Sequence, residues 1–148
     1  MAGLRLIEPD VEKVEIEDVI PSIWMKDIHS PVTLPSLGHG TSRLFDLTLA
    51  LANAAHGILL VDEIENGLHY SVQFGIWKLM VDTARRSNVQ VFATTHSWEC
   101  IEAFQAALQD RHASGYLIRL NRREQGITAT VYDQEELAII VHDHVEVR

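Results

Sequence analysis

A chain of 148 residues with 47% hydrophobic and 22% charged residues is long enough to bury a core and is expected to form one domain. No apolar run approaches the roughly 20 residues of a membrane span, residues 1–10 lack the apolar region of a secretory signal, and the single cysteine, Cys100, excludes an internal disulfide, so a cytoplasmic protein is expected. The net charge of −9, from 21 acids against 12 bases, disfavours a nucleic-acid partner, since Arg85-Arg86 and Arg119 with Arg122-Arg123 fall near predicted element ends where solvated cations are ordinary.

Residues 11–19 alternate apolar Val11, Val14, Ile16 and Val19 with Glu12, Glu15, Glu17 and Asp18, which predicts a half-exposed strand whose acids guard a sheet edge. Pro21, Pro31 and Pro35 restrict 23–28 and 32–34 to short strands or turns. Gly40-Thr41 opens a helical pattern (Leu44, Phe45, Leu47, Leu49, Ala50, Leu51, Ala54) with Thr41 or Ser42 available as N-cap, ending near His56-Gly57. Ile58-Leu59-Leu60-Val61 is a continuous aliphatic run, as a parallel strand covered on both faces requires. A helix over 71–87, a buried strand over 89–94 and a helix over 98–108 follow. Residues 116–120 and 127–132 then flank Glu124-Gln125-Gly126 as a hairpin. After residue 57 this order is that of an α/β layered domain with right-handed crossovers.

In such sheets ligands sit beyond the carboxyl ends of the strands, which directs attention to Asp62-Glu63 and Thr94-Thr95-His96. Adjacent carboxylates at the end of a buried strand repel and are costly to desolvate unless a cation or a bound water compensates. A Mg-nucleotide supplies both. The first acid, Asp62, suits Mg²⁺ held through its water shell; the second, Glu63, suits orienting and deprotonating the attacking water; His96 suits a hydrogen bond to a γ-phosphate.

These residues resemble a known family. Residues 34–104 look like the second half of an ABC-type ATPase head of the OLD-like and AAA15 kind, related to RecF and SMC heads. The resemblance implies the C-terminal lobe of a P-loop NTPase fold, a mainly parallel sheet flanked by helices and closed by a hairpin, spanning 1–148 as a single lobe. It makes 57–63 the Walker B segment with Asp62 on the metal and Glu63 catalytic, and His96 in ATTHS the switch histidine. Asn66-Gly67-Leu68-His69 then stands as the D-loop, with His69 where transporters carry aspartate. A signature-like loop at 36–41 is implied too, with Gly38 and Gly40 approaching the γ-phosphate held by a partner subunit, and Ser36 substituting for a serine whose place Gly38 occupies. Glycines at the start of a helix let the backbone and its positive end approach a phosphate.

One element of the pattern is absent. The phosphate loop G-x-x-x-x-G-K-[ST] begins at none of the eight glycines, and the chain holds no Gly-Lys pair. ATP and Mg²⁺ are therefore expected to bind only with a complementing Walker A lobe, in a homodimer of heads, and the chain alone is expected to be inactive. The alternative is a non-catalytic interaction module that keeps the lobe fold and serves dimerisation, or a lobe pairing with itself through open strand edges.

Other residues read as structural. His142-Asp143-His144 is expected to be a solvated tail, Trp24, Trp77 and Trp98 core or margin aromatics, and Cys100 a small buried hydrophobe. Asp133, Glu135 and Glu136 tempt a Toprim nuclease assignment, but too few residues follow them for that domain.

Overall fold

The computed structural model describes residues 3–17, 20–123 and 126–145. Strands β1 (Val11–Glu17), β2 (Ile20–Met25) and β3 (Val32–Thr33) form an antiparallel sheet in that order, so acidic β1 lies at an edge as its pattern predicts. Glu15 accepts from Trp24 Nε1 at 2.6 Å and from Lys13 Nζ, and the Lys13 and Trp24 hydrogen bonds hold its carboxyl below the usual carboxylate range. Asp18 and Val19, which the pattern includes in this strand, lie outside the described residues. The sheet buries Val11 and Ile23 with Leu4 and Leu34, and Phe45 packs against them from the next helix.

That helix, α1 (His39–Asn53), starts earlier than the pattern suggests. Gly38 at φ +97° stands at its N-cap, and neither Thr41 nor Ser42 caps it: their hydroxyls turn back to the carbonyls of Leu37 and Gly38. Strand β4 (Ile58–Val61) pairs in parallel with β5 (Gln90–Ala93), Val61 opposite Ala93. Helix α2 (Tyr70–Ser87) joins them, capped by His69 and closed by Asn88 in the left-handed region. This unit holds the main core: Leu44, Leu47 and Leu51 of α1, Leu59 and Val61 of β4, Ile64, and Ile76, Trp77 and Met80 of α2. The order strand, helix, strand, helix from β4 onward is that of an α/β protein.

The expectation that β4 is covered on both faces is corrected. Leu59 and Val61 are buried, whereas Ile58 is 61% exposed, Leu60 74% and, beside Leu60 on β5, Phe92 46%. The aliphatic run is apolar on both sides of the pleat, and the helices of this chain cover one of them. Among the described residues the parallel ladder is this pair, and the other ladders are antiparallel.

Helix α3 (Trp98–Arg111) runs one turn beyond its predicted end, with Ser97 accepting from the Cys100 amide at 3.1 Å. Strands β6 (Leu117–Arg123) and β7 (Gly126–Tyr132) form the expected hairpin; Glu124 and Gln125 of its turn lie outside the described residues. A helix that the sequence reading lacks, α4 (Gln134–His142), buries Leu137 and Ile140 against Ile101 and Leu108 of α3. The acids weighed for a nuclease make its capping box: Asp133 Oδ1 accepts from the amides of Glu135 and Glu136, and Glu136 accepts from the Asp133 amide at 3.0 Å.

Candidate active site at the carboxyl end of the parallel pair

Parallel pairing makes the loops leaving β4 and β5 start side by side. The ladder runs one step past the strands, Thr94 N–H donating to Val61 O at 2.9 Å and Ile64 N–H to Thr94 O at 3.0 Å. At that step the Thr94 hydroxyl donates to Asp62 Oδ1 at 2.5 Å and accepts from the Glu63 amide at 2.9 Å. One hydroxyl, with one proton and two lone pairs, thus fixes the first carboxylate and the backbone of the second. A return link crosses from β4 to β5: Glu65 Oε1 accepts from the His96 amide at 2.8 Å. From α1, the Arg43 guanidinium donates to Asp62 O at 3.0 Å, and Asn66 Nδ2 stands 3.4 Å from Glu63 Oε2.

Asp62, Glu63 and His96 are thereby held on adjoining loops, and all three are exposed. The sequence argument from desolvation is corrected here, since in this chain water solvates both carboxylates. Glu65 is half-buried; burial pushes its carboxyl up, but the amides of His96 and of Glu65 itself, the Thr95 hydroxyl and the His96 ring prevail and hold it below the ordinary carboxylate range. Glu63 has φ +46°, a left-handed conformation that disfavours a non-glycine residue by about 1–2 kcal/mol. Glu63→Gly is accordingly expected to raise the unfolding free energy by up to about 1 kcal/mol over Glu63→Ala. Equal urea midpoints for the two variants would show no strain at this position.

The second candidate region is the start of α1. Gly38 needs its positive φ, and no side chain caps the first turn, leaving the helix N-terminus of the kind that binds anions. A Cβ on Gly40 would lie 3.1 Å from the Gly67 carbonyl, so glycine there lets α1 approach the turn that carries Gly67. The Ser36 hydroxyl donates to Thr33 O at 2.6 Å, which engages it within its own turn. His69 has a local task, its Nδ1 lying 2.8 Å from Ser71 Oγ and accepting from the Ser71 amide at 3.4 Å.

Against known proteins, residues 26–102, just over half of the chain, match the family model described as "AAA domain, putative AbiEii toxin, Type IV TA system". The chain belongs to this AAA-domain family. A curated relative, an "ATP/GTP phosphatase" of Helicobacter pylori, is 30% identical over 118 residues, which are 76% of this chain and 32% of that protein. The chain thus spans about a third of its relative's length. Among solved structures, an SMC ATPase studied for ATP-driven dimerisation and DNA-stimulated activation superposes with a TM-score of 0.63 at 13% identity, over 99% of this chain and 87% of that one. The Smc head domain of Pyrococcus furiosus bound to the C-terminal domain of ScpA gives a TM-score of 0.62, also at 13% identity, over 97% of this chain and 36% of that one. At that identity the likeness is one of fold. This AAA-domain chain is accordingly a P-loop ATPase-related protein.

Sequence reasoning assigned no role to Thr94 and missed Glu65 and Arg43. Residues 62–67 form bends and turns and not a strand, so no period of two marks Glu65, whose side chain enters the cavity lined by Gln73, Trp77 and Cys100. Among the described residues no three His, Cys, Asp or Glu form a metal-ligand group. Mg²⁺ carried by a nucleotide needs one or two protein carboxylates and otherwise keeps water and phosphate ligands, and Asp62, which gives one oxygen to Thr94, fits that demand. Cys100 is buried, and burial pushes its thiol up against the opposing hydrogen bonds of Thr95 and Trp77, as an inert core thiol requires. Among the described residues no helix is long and apolar enough to cross a membrane. His142 and His144 are exposed, His142 paired with Asp143 and His144 placed against Trp98.

Proposed function

We propose that the chain supplies the hydrolysis half of an ABC-type ATPase head of the OLD-like and AAA15 kind, cytoplasmic and working as a homodimer of heads. The observation that carries this reading is the two-way link between β4 and β5, which keeps Asp62 and Glu63 beside the loop of His96. In this reading 57–63 is the Walker B segment, with Glu63 as general base: it takes the proton of the water that attacks the γ-phosphorus as the bond to the leaving ADP breaks. His96 donates a hydrogen bond to the γ-phosphate from the neighbouring loop. Asp62 would hold Mg²⁺ through water, and the ion would offset the phosphate charge. Gly38, Gly40 and the α1 N-terminus, with Ser36 and the D-loop glycine Gly67 nearby, meet the nucleotide of a second head.

The phosphate loop comes from a segment or subunit outside these 148 residues. The missing Gly-Lys pair supports this, as do the uncovered side chains of Ile58, Leu60 and Phe92 and the third of the relative's length that the chain spans. Purified chain alone is expected to turn over no ATP, and mixing it with a lobe carrying the phosphate loop is expected to restore turnover. A stable mixed complex without turnover would favour the non-catalytic dimerisation module, to which the exposed apolar face also points.

A further inference from the structure

We propose that Glu65 is a positioning residue of this site, its carboxylate holding the backbone of His96 and so fixing the loop from which the His96 ring acts. The meaning of His96 rests on the hydrolysis reading; the contact does not. Glu65 reaches His96 across 31 positions of sequence, at 2.8 Å, from the loop opposite. A charged acceptor makes such a bond about twice as strong as a neutral one.

Glu65 is itself well anchored. Ile64 beside it is buried, with its amide on Thr94 O. The second carboxylate oxygen of Glu65 is buried without a hydrogen-bond partner at a cavity of about 10 Å³ that Gln73, Trp77 and Cys100 also line, so packing between α2 and α3 confines the side chain while its first oxygen grips His96. His96 is followed by Ser97, whose amide bonds Thr95 Oγ1 at 3.1 Å and whose hydroxyl caps α3. The result is reciprocal. A hydroxyl from the β5 loop holds Asp62 and Glu63, and a carboxylate from the β4 loop holds His96, so the two loops are tied in both directions.

The titratable groups acting on Glu65 are His96 from the β5 loop and Cys100 from α3; Gln73 from α2 is neutral. Because the Glu65 carboxyl is held below its ordinary value near 4.5, the charged bond is fully formed above that value and is lost as pH falls through the lower one.

Amide NMR on the nitrogen-15-labelled chain tests the proposal. The His96 amide is expected to exchange slowly with solvent and to shift with an acid midpoint below 4.5. In Glu65→Gln, which keeps the shape and an oxygen able to accept, the titration is expected to vanish and exchange to accelerate by about five- to tenfold, as replacing a charged acceptor by a neutral one implies. The Thr94 amide, in the strand ladder, should be unchanged; equal loosening there means a general structural role and overturns the proposal. So does a His96 amide that is unprotected, or that behaves alike in chain and variant. In the complemented head Glu65→Gln should lower kcat several-fold with little change in KM for ATP, and an unchanged kcat overturns the positioning role. A complemented head without any turnover sinks the hydrolysis reading, and the amide measurements then decide the contact alone.

Discussion

Glu63→Gln in the complemented head is expected to lower kcat by about 10²- to 10⁴-fold, the usual contribution of a positioned general base. The substitution keeps the shape of the side chain and removes its capacity to take a proton. The backbone bond from the Glu63 amide to Thr94 is untouched, and the side chain is exposed, so the unfolding free energy should stay within about 0.5 kcal/mol of the parent chain. ATP binding should persist, because the residue acts on the water and not on the phosphates. Asp62→Asn provides the contrast: its expected loss appears in the Mg²⁺ concentration needed for half-maximal turnover. Steady-state ATPase assays across Mg²⁺ concentrations separate the two. Turnover by Glu63→Gln within tenfold of the parent would remove Glu63 from the role of base and leave the two-way link between the loops as architecture without hydrolysis.

What the sequence made legible follows from the kind of information each residue carries. The aliphatic run Ile58 to Val61 records a strand because both faces of its pleat are apolar, but not which piece of protein covers each face; Leu60 at 74% exposure is the result. Asp62, Glu63 and His96 were found together because parallel pairing of two consecutive buried strands brings their ends side by side, a consequence of topology that local pattern suffices to predict. The residues that position them were not found, since their bonds span 31 positions for Glu65 to His96 and 19 for Arg43 to Asp62 and depend on tertiary register. The start of α1 was misplaced because two hydroxyl residues suggested a cap, whereas the positive φ of Gly38 sets the turn before them. Helix α4 is short, and the acids of its capping box, Asp133 and Glu136, are residue types that suit catalysis as well as local hydrogen bonding, so their pattern alone does not separate the two.

Leu60 and Leu59 are adjacent on β4 and face opposite sides, which makes them a controlled pair for asking what covers the open face. Leu59 packs in the main core, and Leu59→Ser is expected to destabilise the chain by about 2–5 kcal/mol. Leu60→Ser removes an exposed side chain and should change stability by less than about 1 kcal/mol. The order reverses for association. If the phosphate-loop lobe docks on Ile58, Leu60 and Phe92, burying the Leu60 side chain contributes about 1.5–3 kcal/mol, so Leu60→Ser should weaken the complex by about 10- to 150-fold. Without the lobe, the same apolar patch and the open strand edges beside it should drive self-association of the parent chain, and Leu60→Ser should reduce it. Denaturant unfolding, titration calorimetry with the lobe and light scattering against concentration read the three effects separately. Affinity unchanged by Leu60→Ser would mean that the lobe does not sit on this face, and restored turnover would then have to arise from a head assembled differently. Weakened affinity with unchanged stability would tie the uncovered side of the parallel pair to the assembly that completes the ATP site.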